Sequence, residues 1–516
     1  MRRVTRSACH AALAAATIGL AWTGHLLAPW WVIAWAGALF VPYFALLRAG
    51  HHDLRVVVAT ALAARLGLCF APVLLSDDIF RYVWDGVVAA QGINPYRWPP
   101  TSPELASLRD ASIWPFINHP DLVTIYPPVG QYVFTLNAWL GATTTSLKLL
   151  FVGVECLSVW WIWGVLRARW SAQRAKHALA LYALNPLVML EVAWSGHVDV
   201  VAWCTLACAL VSATEGGVWA HARTGALLGL SVAAKFLGLM LLPLLIFAPK
   251  PPGLSARRAA GRRALLALSC VAVFAGSYVP YLSLGTGVFG SLGTYASSWR
   301  TNDSVFRVVE GGSRAIIRAT APPKNWVDPA SPHTQGVVVR LEGLNPLFEA
   351  RGWTKQWEGK QLPDTTKMDH QISATIGKVV AALCMGLMLL WCLLVVRDPF
   401  RGALLLWCTL YLVAPTVMPW YLAWLVPLAA LKRCDAALAW SALGLLAYSA
   451  WASFVSQGPW RVPDWAIALE CAGLVCVAWW SARRARRALD PEQGPVGGVH
   501  AHDVVVGDEP PKVGVG

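Results

Sequence analysis

The stretch VVAALCMGLMLLWCLLVV, residues 379–396, contains no charged side chain along its whole length. A helix needs about 20 mostly apolar residues to cross the hydrocarbon core of a bilayer. Similar apolar runs occupy residues 26–47, 54–75, 264–284 and 436–455. The runs are continuous rather than alternating, and only helices and closed barrels satisfy every backbone polar group in lipid. They therefore predict membrane-spanning helices rather than a barrel.

The composition agrees with this class of protein. The 516 residues are 57% hydrophobic and 14% charged, whereas a soluble domain has about 25% charged residues. The net charge of +14 is divided among short basic clusters between the apolar runs. This pattern is typical of cytoplasmic loops and argues against a nucleic-acid partner. The clusters comprise Arg2, Arg3 and Arg6; Arg48 and Arg55; 167–176; 250–263; Lys432 and Arg433; and 483–487.

Neither the cysteines nor the repeat structure indicates another class. The twelve cysteines lie in or beside apolar runs and outside the two long polar loops, 76–145 and 285–370. This placement argues against a disulfide framework or a zinc site and favours small buried hydrophobic residues. No internal repeat is visible, which weakens a transporter built from inverted repeats.

The topology follows from placing the N-terminus in the cytoplasm as a retained first helix. The segment 126–140 is interpreted as a helix along the membrane surface, because a span there would put the basic cluster 167–176 outside. Segment 223–248 is expected to be two segments or one broken helix, with Lys235 near its middle. Both long polar loops then lie outside. Other spans are expected near 146–166, 178–193, 199–214, 264–284, 373–396, 402–417, 420–432, 436–455 and 465–482.

The expected fold class is an all-α polytopic membrane protein with about 12–14 transmembrane helices and two long extracytoplasmic loops. Its expected parts are N-terminal helices (1–75), a first extracytoplasmic loop with the catalytic motif and the surface helix (76–145), central helices (146–284), a second extracytoplasmic loop (285–370), C-terminal helices (371–484) and a disordered cytoplasmic tail (485–516).

The densest polar cluster opens the first outer loop. It reads Ser-Asp-Asp-Ile-Phe-Arg-Tyr-Val-Trp-Asp-Gly at 76–86, followed by Gly-Ile-Asn-Pro-Tyr at 92–96. Carboxylates at a helix exit cost desolvation free energy unless they are paired or hydrated, so they predict a functional site. The alternative is a solvated helix end in which Arg81 pairs with Asp78 or Asp85.

Further polar residues fall at other predicted outer turns. Glu191, His197 and Asp199 form either a hydrogen-bonded constellation, which is favoured, or a metal site. Lys235 is a lone cation that pairs with an anion such as a lipid phosphate or extends to the headgroups. Trp420 and Tyr421 either stack on a sugar or belong to the interfacial aromatic belt, which is favoured for each aromatic taken singly.

Taken together and in their order along the chain, the polar motifs resemble those of the GT-C superfamily of membrane glycosyltransferases. Within it, residues 76 to about 425 are similar to bacterial polyprenol-phosphate-mannose-dependent mannosyltransferases and to the catalytic subunit of the mannosyltransferase of GPI-anchor synthesis. The motifs that carry the resemblance are Asp-Asp-Ile-Phe-Arg-Tyr-Val-Trp-Asp-Gly (77–86), Gly-Ile-Asn-Pro-Tyr (92–96), Tyr-Pro-Pro (126–128), Asn-Pro-Leu (185–187), Ser-Gly-His-Val-Asp (195–199), Ala-Lys-Phe (234–236), Asn-Asp-Ser-Val-Phe (302–306) and Pro-Trp-Tyr (419–421).

The resemblance implies transfer of a sugar, with mannose as the family-level expectation, from a polyprenyl-phosphate donor to a glycan or lipid acceptor. The expected site faces the extracytoplasmic side of the cell membrane (the inner or plasma membrane). Asp77 or Asp78 is implied as the general base, without a choice between them. No cofactor is expected to be required, although the two aspartates could share a divalent cation. The residues expected to bind substrate are Arg81, Tyr82, Asp85, Asn94, Tyr126, Gln131, His197, Asp199, Lys235, Arg300, Asn302, Ser304, Trp420 and Tyr421.

Two other classes of protein compete with this hypothesis. A transporter or flippase of lipid-linked sugars also needs polar outer residues and a membrane-embedded cation, but its polar residues should occur on both sides of the bilayer. Here the cytoplasmic loops are short and basic. A structural or assembly subunit leaves the concentration of Asp, Arg, Lys and His side chains unexplained.

Overall fold

The computed structural model describes residues 3–48, 50, 52–249, 252–320, 345–352, 354–357, 360–363 and 365–489. The middle of the second polar loop and nearly all of the predicted disordered tail lie outside the described residues. The last helix extends to Leu489, beyond the end expected for it near residue 482. The described residues are mainly helical, and the all-α fold class is confirmed.

Up to residue 145, the chain forms four α-helices before the first polar loop and two more within it. The α-helices are Arg3–Thr23, Pro29–Ala38, Phe40–Arg48, Leu54–Cys69, Asp78–Ala90 and Pro128–Trp139, and short 3₁₀ helices occupy Gly24–Leu26, Pro103–Leu108 and Trp114–Phe116. The helix predicted for the segment 126–140 is therefore present and begins at Pro128, where a proline needs no amide partner.

The central part contains the most interrupted helices. Its α-helices are Thr144–Arg167, Ala172–Ala183, Pro186–Met189, Asp199–Ala213, Gly217–Ala234, Leu242–Ile246 and Ala256–Tyr278, joined by a π turn at Leu190–Trp194 and 3₁₀ helices at Phe236–Leu241 and Val279–Phe289. The predicted break near Lys235 is confirmed, because this residue has the extended backbone angles φ −158° and ψ 128° between two helices.

The remainder of the chain contains the second polar loop and the C-terminal helices. The α-helices are Leu292–Ser298, Ser304–Thr320, Asn345–Ala350, Thr365–Trp391, Pro399–Val413, Pro419–Leu422, Leu425–Lys432, Asp435–Leu443, Ser449–Val455 and Asp464–Leu489, with a π turn at Cys392–Val396 and a 3₁₀ helix at Gly444–Tyr448. Within the loop, a short antiparallel hairpin pairs Thr354–Trp357 with Lys360–Pro363.

Six described helical segments are long and apolar enough to cross a membrane, and a bent pair makes a seventh. The number is below the 12–14 expected because several predicted spans are short or broken in the structure. This holds for Asp199–Ala213, Phe236–Ile246 and Pro399–Val413. The six segments are Pro29–Arg48, Thr144–Arg167, Ala256–Ser297, Asp369–Val396, Asp435–Val455 and Asp464–Arg483; the bent pair is Ala172–Ala183 with Pro186–Trp194. Their number supports a multi-pass membrane protein.

The bent pair turns by 55° at Asn185-Pro186 and then passes through the π turn. Asn185 caps the second piece by accepting a hydrogen bond from the Val188 amide at 3.3 Å, and Pro186 occupies a first-turn position. Gly196 follows with φ +70°, and a Cβ there would lie 2.5 Å from Ile79 Cδ1. Glycine thus lets this turn approach the helix that carries the aspartate motif.

The helices Asp78–Ala90 and Pro128–Trp139 also approach closely. A Cβ on Gly86 would lie 2.1 Å from the Phe134 carbonyl oxygen, so only glycine fits there. Tyr82 and Phe134 stack with ring centroids 4.7 Å apart. This packing holds the helix of the first motif against the body of the protein.

Tryptophan has two roles in this molecule. Four tryptophans are among the most completely buried large side chains and belong to the core: Trp194, Trp203, Trp407 and Trp424. Others, such as Trp160 and Trp219, are highly exposed, as belt residues are.

All twelve cysteines are free, and all except Cys476 are buried or partly buried.

Candidate active site

Asp77 and Asp78 lie at the start of the helix Asp78–Ala90 and share one amide. The Asn118 side-chain nitrogen donates to Asp77 Oδ1 at 2.9 Å and to Asp78 Oδ1 at 2.6 Å. The Tyr82 hydroxyl lies 3.4 Å from the second oxygen of Asp78, Oδ2. Asp77 is exposed and Asp78 is partly buried. The two carboxylates therefore have neutral hydrogen-bond donors, and Asp77 is the more accessible.

His197 faces this pair from the turn after the π segment. Its Nε2 lies 3.1 Å from the Ser76 hydroxyl and 3.9 Å from Asp78 Oδ2. Its Nδ1 lies 2.9 Å from Glu191 Oε2, and the other oxygen of Glu191 accepts a hydrogen bond from Tyr448 at 2.6 Å. Because His197 and Glu191 are completely buried, their partners hold the imidazole at a defined angle to the aspartates.

Lys235 forms an ion pair with Asp199 next to the histidine. Its Nζ lies 2.7 Å from both carboxylate oxygens, and the Trp424 indole nitrogen donates to Asp199 Oδ1 at 2.9 Å. The Lys235 side chain is 20% exposed whereas that of Asp199 is fully buried. The ammonium thus lies at an accessible edge with one protein anion as its partner.

Trp420 and Tyr421 connect the histidine and the lysine. Trp420 stacks on His197 with ring centroids 4.0 Å apart, and Lys235 Nζ lies 4.3 Å above the centre of the Tyr421 ring. The Tyr421 hydroxyl is 2.6 Å from that of Tyr295. Both rings are partly buried and contact predicted site residues.

A second group of predicted residues adjoins the first through the Tyr82 ring, which contacts the Tyr126 ring at 4.8 Å. Arg81 Nε donates to Asp85 at 2.8 Å, and Gln131 lies 3.3 Å from the other oxygen of Asp85. Gln131 and Tyr96 also approach the Tyr126 carbonyl oxygen, at 3.4 and 2.7 Å. Asn94 supports this loop by accepting from the Tyr96 amide at 3.0 Å. The Arg81–Asp85 pair is the contact named in the alternative of a solvated helix end, but both side chains are buried.

The predicted residues of the second loop have other partners. Arg300 lies over the Phe306 ring at 4.4 Å, Ser304 donates to the Leu412 carbonyl at 2.9 Å, and Asn302 donates to Glu470 at 3.0 Å. None of the described contacts joins them to the aspartates. The loop still reaches the site through Trp299, whose ring contacts His119 at 4.6 Å, next to Asn118.

The electrostatics differ between the ionisable groups of the site. Desolvation by the surrounding protein raises the pKa of the Asp77 carboxyl, although the residue is exposed. The negative charge of the neighbouring Asp78 raises this pKa further. Burial raises the pKa of the Tyr82 phenol far above its ordinary value, so its hydroxyl stays protonated and can donate to Asp78. Asp77 is therefore a better proton acceptor than an ordinary aspartate when it is ionised.

The site contains several residues that the motifs did not single out. The sequence did not point to Asn118 or Tyr448, because a polar residue in a loop and a tyrosine near a helix end are common. Outside the site, Glu470 could have been noticed, since a carboxylate inside an apolar run requires a partner. Its partners are Asn302 and Trp440. No group of three or more His, Cys, Asp or Glu side chains suited to a metal ion occurs within the described ranges. Of the three residues considered for a metal site, Glu191 and His197 contact each other, whereas Asp199 pairs with Lys235 and Trp424.

One comparison with known proteins gives a family. Residues 4–250 match the MptA_B family model, described as alpha-(1->6)-mannopyranosyltransferase, N-terminal domain. No curated protein and no solved structure matches the chain. The matched range contains Asp77, Asp78, His197, Asp199 and Lys235, which the structure brings to one region. The resemblance seen in the motifs is thus confirmed over residues 4–250, which are similar to the N-terminal domain of an alpha-(1->6)-mannopyranosyltransferase family.

Proposed function

We propose that this protein transfers mannose from a polyprenyl-phosphate donor to a hydroxyl group of a glycan or lipid acceptor, with inversion at the anomeric carbon. The reaction takes place at the extracytoplasmic face of the cell membrane. The family name makes an alpha-(1→6) linkage the expected product. The observation that carries the proposal is an accessible aspartate pair, held by neutral donors, beside a buried histidine and a partly exposed lysine.

The general base is Asp77 rather than Asp78. A base must reach the proton that it removes, and Asp77 is the exposed member of the pair. Both oxygens of Asp78 already have partners, Asn118 and Tyr82. Only Oδ1 of Asp77 receives the Asn118 amide, so its Oδ2 is open to an acceptor hydroxyl. Asp78 then keeps Asn118 and His197 in position.

The reaction needs one proton transfer and one displacement. The acceptor oxygen attacks the anomeric carbon as Asp77 takes its proton, and a new glycosidic bond forms. The bond from the anomeric carbon to the phosphate oxygen breaks, and the polyprenyl phosphate leaves with the electron pair. Positioned positive charge at a leaving group is a strong catalytic contribution, and Lys235 supplies it from an accessible edge. No metal ion is required, although Asp77 and Asp78 could still share one.

The test is sugar transfer in membranes from a radiolabelled polyprenyl-phosphate mannose, with wild type, Asp77→Asn and Asp78→Asn at equal abundance. Loss of a general base predicts a decrease of about 10²–10⁴-fold for Asp77→Asn and a smaller decrease for Asp78→Asn. Donor binding should be retained in both variants. Transfer unchanged in both would overturn the mechanism and favour a transporter of lipid-linked sugars.

A further inference from the structure

An open cavity of about 350 Å³ lies in the second polar loop, outside the site described above. Its walls come from the helix Ser304–Thr320, the start of the helix Thr365–Trp391 and the segment that precedes Asp464–Leu489. Four arginines line it, together with a histidine and a tryptophan: Arg300, Arg307, Arg314, Arg461, His370 and Trp460. None of these residues contacts Asp77, Asp78 or Lys235 in the described structure.

Carboxylates accompany three of the four arginines that line the cavity. Within the lining, Arg307 pairs with Asp303, and Arg314 pairs with Glu310. Behind the lining, Asp464 pairs with both Arg307 and Arg461, and Asp369 lies 4.0 Å from Arg314. Because each guanidinium has five N–H donors, such pairs leave donors for a ligand.

Arg300 is the least satisfied of the four arginines. Its guanidinium lies over the Phe306 ring at 4.4 Å, and its Nη1 is buried with no hydrogen-bond partner among the described residues. A buried donor without a partner is costly. An anion in the cavity that Arg300 lines would relieve this cost.

The helix Ser304–Thr320 has two unlike faces. Arg307, Glu310 and Arg314 line the cavity, whereas Val308 and Ile316 are 74% and 66% exposed. A helix with one basic face and one exposed apolar face is typical of the membrane surface. Lipid phosphates lie at that depth, and basic residues there attract them.

We propose that this cavity binds a phosphate ester carried by a lipid. Arginine matches phosphate oxygens with paired N–H donors, and the apolar face of the helix places the cavity beside lipid chains. The ligand is either the polyprenyl phosphate carrier or a phospholipid headgroup. Both present the same anion at the membrane surface. The site is distinct from the aspartate centre and binds its ligand whether or not transfer occurs.

The test uses the purified full-length protein in detergent and 1,2-dihexanoyl phosphatidic acid as the probe, with affinity measured by calorimetry. The double variant Arg314→Gln/Arg461→Gln should bind the probe about tenfold or more weakly, because charge-assisted hydrogen bonds are lost. Arg314→Lys/Arg461→Lys keeps the charge and should restore part of the affinity. The matched control is Arg97→Gln, an exposed arginine of the first loop, which should bind like wild type.

Competition separates the two sources of the phosphate. Displacement of the probe by geranyl phosphate identifies the carrier, and binding of the probe without displacement identifies a headgroup; both support a lipid-phosphate site. Equal affinity in the glutamine double variant and wild type, or equal binding of uncharged dihexanoylglycerol, overturns the proposal. Asp77→Asn should bind the probe normally, so failure of this site is distinguishable from failure of the transfer mechanism.

Discussion

The helix Asp78–Ala90 carries carboxylates in two contrasting environments. In its middle, Asp85 is 2% exposed and lies against the Arg81 guanidinium. At its start, Asp77 and Asp78 are more accessible and receive hydrogen bonds from neutral groups, Asn118 and Tyr82. Sequence alone presents all three as acidic residues of one motif.

The two environments suit a carboxylate to two different roles, one in stability and one in catalysis. A cation beside a buried carboxylate cancels its charge and fixes its position, and removal of either partner leaves an uncompensated charge. Neutral donors orient a carboxylate without cancelling its charge. The start of the helix therefore keeps negative charge available for a reaction, whereas the middle uses its charge to hold two helices and a loop together. Three predictions test this contrast.

The largest expected effect is on stability. Asp85→Asn leaves Arg81 buried without its counterion, and Nη2 of Arg81 already has no hydrogen-bond partner in the described structure. We expect the free energy of unfolding to fall by about 3–5 kcal/mol. Asp77→Asn, at an exposed position, should change it by no more than about 0.5 kcal/mol. Denaturant unfolding in detergent, followed by tryptophan fluorescence, measures both. Equal losses in the two variants would remove the distinction.

The second effect is on transfer. His197→Gln removes the ring that stacks on Trp420 and faces Asp78. Misplacement of catalytic groups predicts a decrease in kcat of about tenfold to a hundredfold, with a smaller change in the KM for the donor. The matched control is His221→Gln, since His221 Nδ1 lies 2.7 Å from the Gly217 carbonyl oxygen of its own helix. A decrease of the same size in this control would show that the loss is not specific to the site.

The smallest effect is a shift of the pH profile. The pKa of Asp77 is raised by the surrounding protein and then by Asp78, and a general base acts only when deprotonated. The acidic limb of kcat/KM should therefore lie above the ordinary pKa of an aspartate. Asp78→Asn removes one of the raising charges, so the limb should move to lower pH. A limb that stays in place or moves upward would exclude Asp77 as the titrating base.

Several features of the site were accessible from local sequence. Carboxylates at a helix exit and a lysine inside an apolar stretch each have a local physical cost that predicts function or a break in a helix. Lys235 indeed interrupts its helix, and Gly196 forms the close turn.

Other features needed the structure, because motif order carries no spatial distances. Arg300, Asn302 and Ser304 are predicted to bind substrate, and their described contacts are with Phe306, Glu470 and the Leu412 carbonyl. Trp424 lies buried against Asp199. Exposure of a tryptophan depends on how helices pack, and two helices of similar composition can present it to lipid or to the core.

By itself the sequence determined that this protein lies in a membrane, and it located the polar residues at the ends of the apolar runs. Long apolar runs require helices in lipid, because backbone polar groups find no partners there, and polar residues at the ends of those runs mark where chemistry can occur. Only the tertiary structure decided which charges are cancelled and which remain open. Asp85 meets Arg81 whereas Asp77 meets an amide. That distinction depends on contacts such as Asn118 with Asp77 and Tyr448 with Glu191, and these join residues far apart in the chain.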